Sequence, residues 1–122
     1  MGVYCTSKEF DLGNVFVEYF AKNRTSLDEQ HLEYGIYLLG KIGSKSAYRL
    51  IADYLAHPVT SVRFPAIKIL TNFEDYNKIP ESILKDKYII EKARKALEDS
   101  GELIAVRELK HLIDRSRINS AE

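Results

Sequence analysis

The chain has 122 residues, 45% hydrophobic and 30% charged, a composition that suits one folded domain over residues 1–122, large enough to bury a core without disulfide or metal staples. Its 18 Lys and Arg residues balance its 18 Asp and Glu residues, so no bulk charge draws it to nucleic acid or to a membrane surface. A single cysteine, Cys5, excludes an internal disulfide, and no apolar run reaches the roughly 18–20 residues of a membrane span; both points suit a cytoplasmic protein.

The charge is unevenly distributed. Residues 1–35 carry Lys8, Lys22 and Arg24 against Glu9, Asp11, Glu18, Asp28, Glu29 and Glu33, a net of −3. Residues 36–73 carry Lys41, Lys45, Arg49, Arg63 and Lys68 against Asp53 alone, a net of +4. The start, MGVYCTSKEF, lacks the basic and apolar regions of a signal peptide. It fits the acylation pattern M-G-x-x-x-[ST] through Gly2 and Thr6, a pattern short enough to arise by chance, and no polybasic patch adjoins it as a second anchor.

Apolar residues recur at helical spacing nearly throughout, which predicts an all-α chain of about six helices. The first is expected from Ser7 to Lys22, with Leu12, Phe16, Tyr19 and Phe20 in its stripe and Val15 beside it. The second runs from Leu27 to Ile42, opened by a capping box of Ser26 and Glu29 and stopped by Gly43. Leu32, Gly35, Ile36, Leu39 and Ile42 share one face of it. The third, Lys45 to Ala56, turns Ala47, Leu50, Ile51, Tyr54 and Leu55 inward and ends at His57-Pro58. The fourth, Val62 to Phe73, is capped by Thr60 or Ser61, has Pro65 near its first turn, and carries the stripe Val62, Ala66, Ile69, Leu70 and Phe73. After a loop over 74–80, a fifth helical region spans Glu81 to Asp99, divisible into two pieces, with Ile83 and Leu84 in one and Ile89, Ile90, Ala93, Ala96 and Leu97 in the other. Ser100-Gly101 breaks it. A sixth runs from Glu102 to Arg115 with Val106, Leu109, Leu112 and Ile113 inward, and the polar tail from Arg117 frays.

Sliding the second helix onto the fourth by 31 positions pairs Gly35 with Ala66, Ile36 with Ile67, Leu38 with Ile69, Leu39 with Leu70 and Ile42 with Phe73. The fifth fits less well, with Ala93 on Ala66, Ala96 on Ile69 and Leu97 on Leu70. Repeated helix pairs of this kind bury their apolar faces by stacking. The stretch HPVTSVRFPAIKIL, His57 to Leu70, resembles the HEAT repeat, with Pro58, Val62, Arg63, Ala66 and Leu70 in the places of that family's pattern. YGIYLLGKIG, Tyr34 to Gly43, looks like the end of the preceding repeat, and the resemblance covers about residues 27–73. It implies a short right-handed α-solenoid of stacked antiparallel helix pairs. His57 stands where the family usually has Asp, and Pro65 is a second departure, so the family's Asp–Arg ladder is in doubt here.

No nucleotide-loop, zincin, CxxC or nucleophile-elbow motif occurs, and His31, His57 and His111 lie far apart in sequence. The chain is therefore read as non-enzymatic, with no cofactor and no metal, and function falls to its surface. In HEAT-like arrays the second helix of each pair tends to line the concave side. On that register Glu33, Tyr37 and Lys41 face a partner from the second helix, with Tyr34 at the margin; Phe64, Lys68 and Asn72 do so from the fourth; and Glu91, Lys95 and Asp99 do so from the fifth. Tyr37 and Phe64 carry most weight, because aromatic rings off a core stripe are enriched at binding hot spots. The competing reading packs both rings on a terminal helix or loop. The expected partner is another protein, for instance a toxin or nuclease domain held by an inhibitor of the bacterial toxin-immunity kind. The alternative is a nucleic-acid backbone, which the basic middle favours and the zero net charge disfavours.

Overall fold

In the computed structural model, residues 2–71 and 79–121 are described, with side chains over 13–71 and 79–117. Among the described residues all regular structure is helical: α1 (Gly2–Asn23), α2 (Glu29–Ile42), α3 (Lys45–Ala52), α4 (Thr60–Thr71), α5 (Glu81–Leu84), α6 (Lys87–Ser100) and α7 (Leu109–Ala121). Three-residue 3-10 turns occupy Arg24–Ser26 and Val106–Glu108. Asn72, Phe73 and residues 74–78 lie outside the described residues, as do the side chains of Cys5, Ser7 and Leu12.

Local chemistry sets the helix ends. Asp28, not Ser26, caps α2: its Oδ1 accepts from the His31 amide at 2.9 Å, while the Ser26 hydroxyl donates back to the Asn23 carbonyl. The shorter helix follows, because the Arg24–Ser26 turn takes up Ser26 and Leu27 is extended before the Asp28 cap. Gly43 closes α2 at φ 66°, its amide donating to Leu39 O at 3.0 Å, and this left-handed conformation is one that a side chain would strain. Ser44 then caps α3 by accepting from the Ala47 amide.

α3 ends four residues before the expected Ala56. Beyond Ala52 the chain tightens into i→i+3 bonds, such as Tyr54 N to Ile51 O, yet Tyr54 and Leu55 remain buried as the apolar pattern requires. α4 begins at Thr60, so neither Thr60 nor Ser61 is its cap, and Pro65 sits in the second turn. Val59 fills the capping position, its carbonyl accepting from the Val62 and Arg63 amides. The fifth region divides as expected, because Asp86 caps a new helix after the single turn of α5. α7 starts at Leu109 instead of Glu102. The chain before it turns through Ala105 at φ 74°, a conformation that an alanine adopts only when its neighbours hold it there.

Arg63 supplies that hold. It is 2% exposed, and its guanidinium donates to Ile104 O at 3.0 Å, His57 O at 2.8 Å, Pro58 O at 3.2 Å and Thr60 Oγ1 at 3.1 Å. These oxygens are neutral. Arg63 thus ties the turns at His57–Pro58 and Ile104 to α4 through these oxygens.

The core is one cluster that draws on α1 through α7, with Phe20, Ile36, Leu39, Ile51, Ile67, Leu70, Ile83, Ile89, Leu109 and Leu112 almost fully buried. Burial repeats across most of the 31-residue offset, with exposed Tyr34 against buried Pro65 an exception. Leu32, Gly35, Ile36 and Leu39 of α2 are buried, and so are Arg63, Ala66, Ile67 and Leu70 of α4; Tyr37 and Lys68 are exposed, and Leu38 and Ile69 are half-buried. α2 packs extensively on α4, and Gly40 allows the close approach, because a Cβ there would stand 2.9 Å from Ile69 Cδ1. Gly35 serves a different neighbour: it accommodates the Phe20 ring of α1. Gly13 opposes Ile42 while Phe20 opposes Gly35, so α1 and α2 run antiparallel. On α1 the inward residues are Val17, Phe20 and, in part, Phe16. Tyr19 and Val15, expected in or beside the stripe, are 54% and 58% exposed, because the face is rotated toward Val17.

The helix contacts follow an alternating order. α1 touches α3, and α3 touches α6; α2 touches α4, and α4 touches α7. Within the chain order α1 also packs on α2, α3 on α4, and α6 on α7.

Candidate functional site

α2 buries one stripe and turns the opposite side to solvent. Tyr34 is 68% and Tyr37 44% exposed, and both line one surface groove with Gln30, His31 and Glu33. Lys41, one turn beyond Tyr37, is also exposed. On the adjoining α4, Phe64 is 38% exposed and Lys68 is exposed. Two aromatic rings one turn apart on a helix, away from its core face, are the kind of area a partner buries with little loss of side-chain entropy. Asn72 lies outside the described residues.

Glu91 and Lys95 are exposed but stand elsewhere. α6 packs on α3, α5 and α7, so its outward residues do not extend the α2–α4 face. Glu91 pairs with Arg94 at 2.9 Å in a groove between α6 and α7. Lys95 and Asp99 line another, with Ala52 and Asp53 of the α3 end. The partial match of this helix, Ala93 on Ala66, reflects a shared apolar phase, both being buried, and not a shared set of neighbours.

A polar seam joins α1, α3 and α6, and the sequence reading did not anticipate it. Arg24 Nη1 donates to Asp53 Oδ2 at 2.6 Å, the Tyr88 hydroxyl donates to Asp53 Oδ1 at 2.5 Å, and Lys92 Nζ lies 3.6 Å from the same oxygen. Arg49 Cζ and Lys92 Nζ face the Tyr88 ring at 5.8 and 5.5 Å from its centroid, within cation–π range. Arg49 Nε also donates to Asp86 Oδ2 at 2.8 Å, while Asp86 Oδ1 accepts from the Tyr88 and Ile89 amides. One signal pointed here: Asp53 is the sole carboxylate in the basic stretch 36–73.

The titration shifts follow from these bonds. Burial opposes ionisation of Asp86, yet the Arg49 guanidinium and the amides of Ile89 and Tyr88 outweigh it and hold the carboxyl below its ordinary value. The hydrogen bond to Asp53, with burial adding to it, raises the Tyr88 hydroxyl. The same carboxylate raises the Arg24 guanidinium. Burial raises the Tyr54 hydroxyl. These groups hold helices together; each polar atom named in the seam already has a partner.

Among the described residues no three His, Cys, Asp or Glu side chains converge as a metal-binding group, and no helix is long and apolar enough to cross a membrane. The side chains of Gly2 to Thr6, the possible acylation pattern, lie outside the described residues. No protein family, curated protein or solved structure matches the chain.

Proposed function

We propose that this protein is a non-enzymatic binding module built as a short right-handed HEAT-like α-solenoid, which holds another protein on its α2–α4 face. The observation that carries the reading is the pair Tyr34 and Tyr37, exposed together on a helix whose opposite stripe is fully engaged in the core. The alternating contacts of α1, α3 and α6, and of α2, α4 and α7, support the solenoid reading, as does the burial pattern shared by α2 and α4. Phe64, Lys41 and Lys68 extend the face and give it a cationic margin that suits an acidic partner surface. A rigid helical surface needs little ordering on association, as an inhibitor of the toxin-immunity kind in the cytoplasm requires. The basic margin is too sparse in a chain of zero net charge to favour a nucleic-acid backbone over a protein.

The test is affinity capture with wild-type protein and with Tyr37→Ala/Phe64→Ala, followed by circular dichroism of both. A protein retained by the wild type and lost, by roughly tenfold or more, from a variant of unchanged helical content supports the reading. Retention by the variant, or collapse of its helical signal, contradicts it.

A further inference from the structure

We infer that the groove between the α5–α6 junction and α7 is a second site, which takes a compact phosphate-bearing ligand. The groove has a volume of about 580 Å³ and is floored by Leu84 and Ile90, which are 6% and 9% exposed. Such a volume lies within the range of small-molecule sites. Four cations surround it from different elements: Lys85 follows α5, Lys87 opens α6, Arg94 stands two turns along α6, and Arg117 reaches over from α7.

The acidic residues beside them do not cancel this charge. Asp86 also lines the groove, but its side chain is 0% exposed and its carboxylate is already engaged by Arg49 and two amides. Glu91 offsets Arg94 at 2.9 Å, and Glu81 offsets Lys85 only loosely at 3.5 Å. Lys87 and Arg117 have no ion pair among the described residues. Two cations without an ion pair among the described residues and two exchangeable ones thus converge on one depression in a protein whose net charge is zero.

The density of positive charge selects the ligand. A phosphoryl group carries close to two charges and several strong acceptor oxygens, and guanidinium forks and ammonium groups both match it. A single carboxylate offers half that charge. An extended polyanion running on along this face of α6 would reach Glu98, exposed one turn beyond Arg94, and would meet repulsion there. The apolar floor accommodates the organic body that a small phosphorylated molecule carries.

Inorganic pyrophosphate is the probe, followed by amide NMR of the full chain. Saturable shifts confined to Lys85–Ile90 and Ser116–Arg117 are expected, with affinity falling roughly tenfold or more in Lys87→Glu/Arg117→Glu. That variant should keep its fold, because a glutamate at the first position of α6 suits the helix dipole. Tyr37→Ala/Phe64→Ala should leave the shifts intact, which separates this site from the α2–α4 face. Shifts that fail to saturate or that spread over all surface lysines overturn the proposal. Equal displacement by hexaglutamate assigns the groove to acidic peptide and overturns it too, as does tighter, steeply salt-dependent binding of an oligonucleotide.

Discussion

The α2–α4 layer and the α3–α6 layer are built on the same principle of adjacent helices but are joined by different means. α2 and α4 meet through apolar stripes and the glycine contact of Gly40 with Ile69, and Tyr34 and Tyr37 stand outward from that contact on α2. α3 and α6 are bound by Arg24, Arg49, Asp53, Asp86 and Tyr88, whose polar groups satisfy one another. A surface whose polar and aromatic groups are already engaged offers a partner little; a helix held from behind by packing can present rings such as Tyr34 and Tyr37. The contrast is what directs attention to Tyr34 and Tyr37 and away from Tyr88, although all three are exposed to a comparable degree or more.

The largest expected effect lies in the apolar layer. Ile36→Ala removes a fully buried side chain and should cost about 3 kcal/mol in urea denaturation; a loss near zero would mean that α2 and α4 are not joined by this stripe. In the polar seam, Asp86→Ala removes a helix cap and leaves Arg49 without its carboxylate, which should cost about 2 kcal/mol. Its pH dependence has a fixed sign. The folded value is lowered, so the contribution is complete above the ordinary carboxyl value of 3.8 and is lost as pH falls through the lower folded value. The stability advantage of wild type over Asp86→Ala should therefore narrow as pH falls below that value. A gap that widens in acid would break the assignment. The smallest effect is expected on the α2 surface, where Tyr34→Ser should change stability by no more than about 0.5 kcal/mol; a larger loss would place the ring in the fold.

The helices were legible because their apolar residues repeat at three and four positions, and α2 and α4 were the clearest for this reason. The inward residues Leu109, Leu112 and Ile113 of α7, and Val106 of the turn before it, were all readable on the same ground. Periodicity alone did not fix the rotation of α1: Tyr19 continues a plausible stripe from Phe16, but Val17 is the residue that packs. Nor did it reveal the turn before α7, since that turn depends on Arg63, 41 positions away from the carbonyl it holds. Tyr37 and Lys68, paired by the 31-residue offset, are both exposed on adjacent helices, whereas Tyr34 is exposed and its counterpart Pro65 is buried; Glu91 and Lys95 lie on α6, which packs on α3, α5 and α7, a tertiary neighbourhood that a short apolar match does not encode. The seam at Asp53 escaped notice because its partners lie 29 and 35 positions away.

The most direct measurement is site-specific photocrosslinking. A benzophenone amino acid placed at Tyr37 or Tyr34 should give a covalent adduct with one partner protein, while the same group at Val15, equally open to solvent on α1, should give none. Adducts of the same partner from Val15 at matching yield, or adducts from that position alone, would contradict the account.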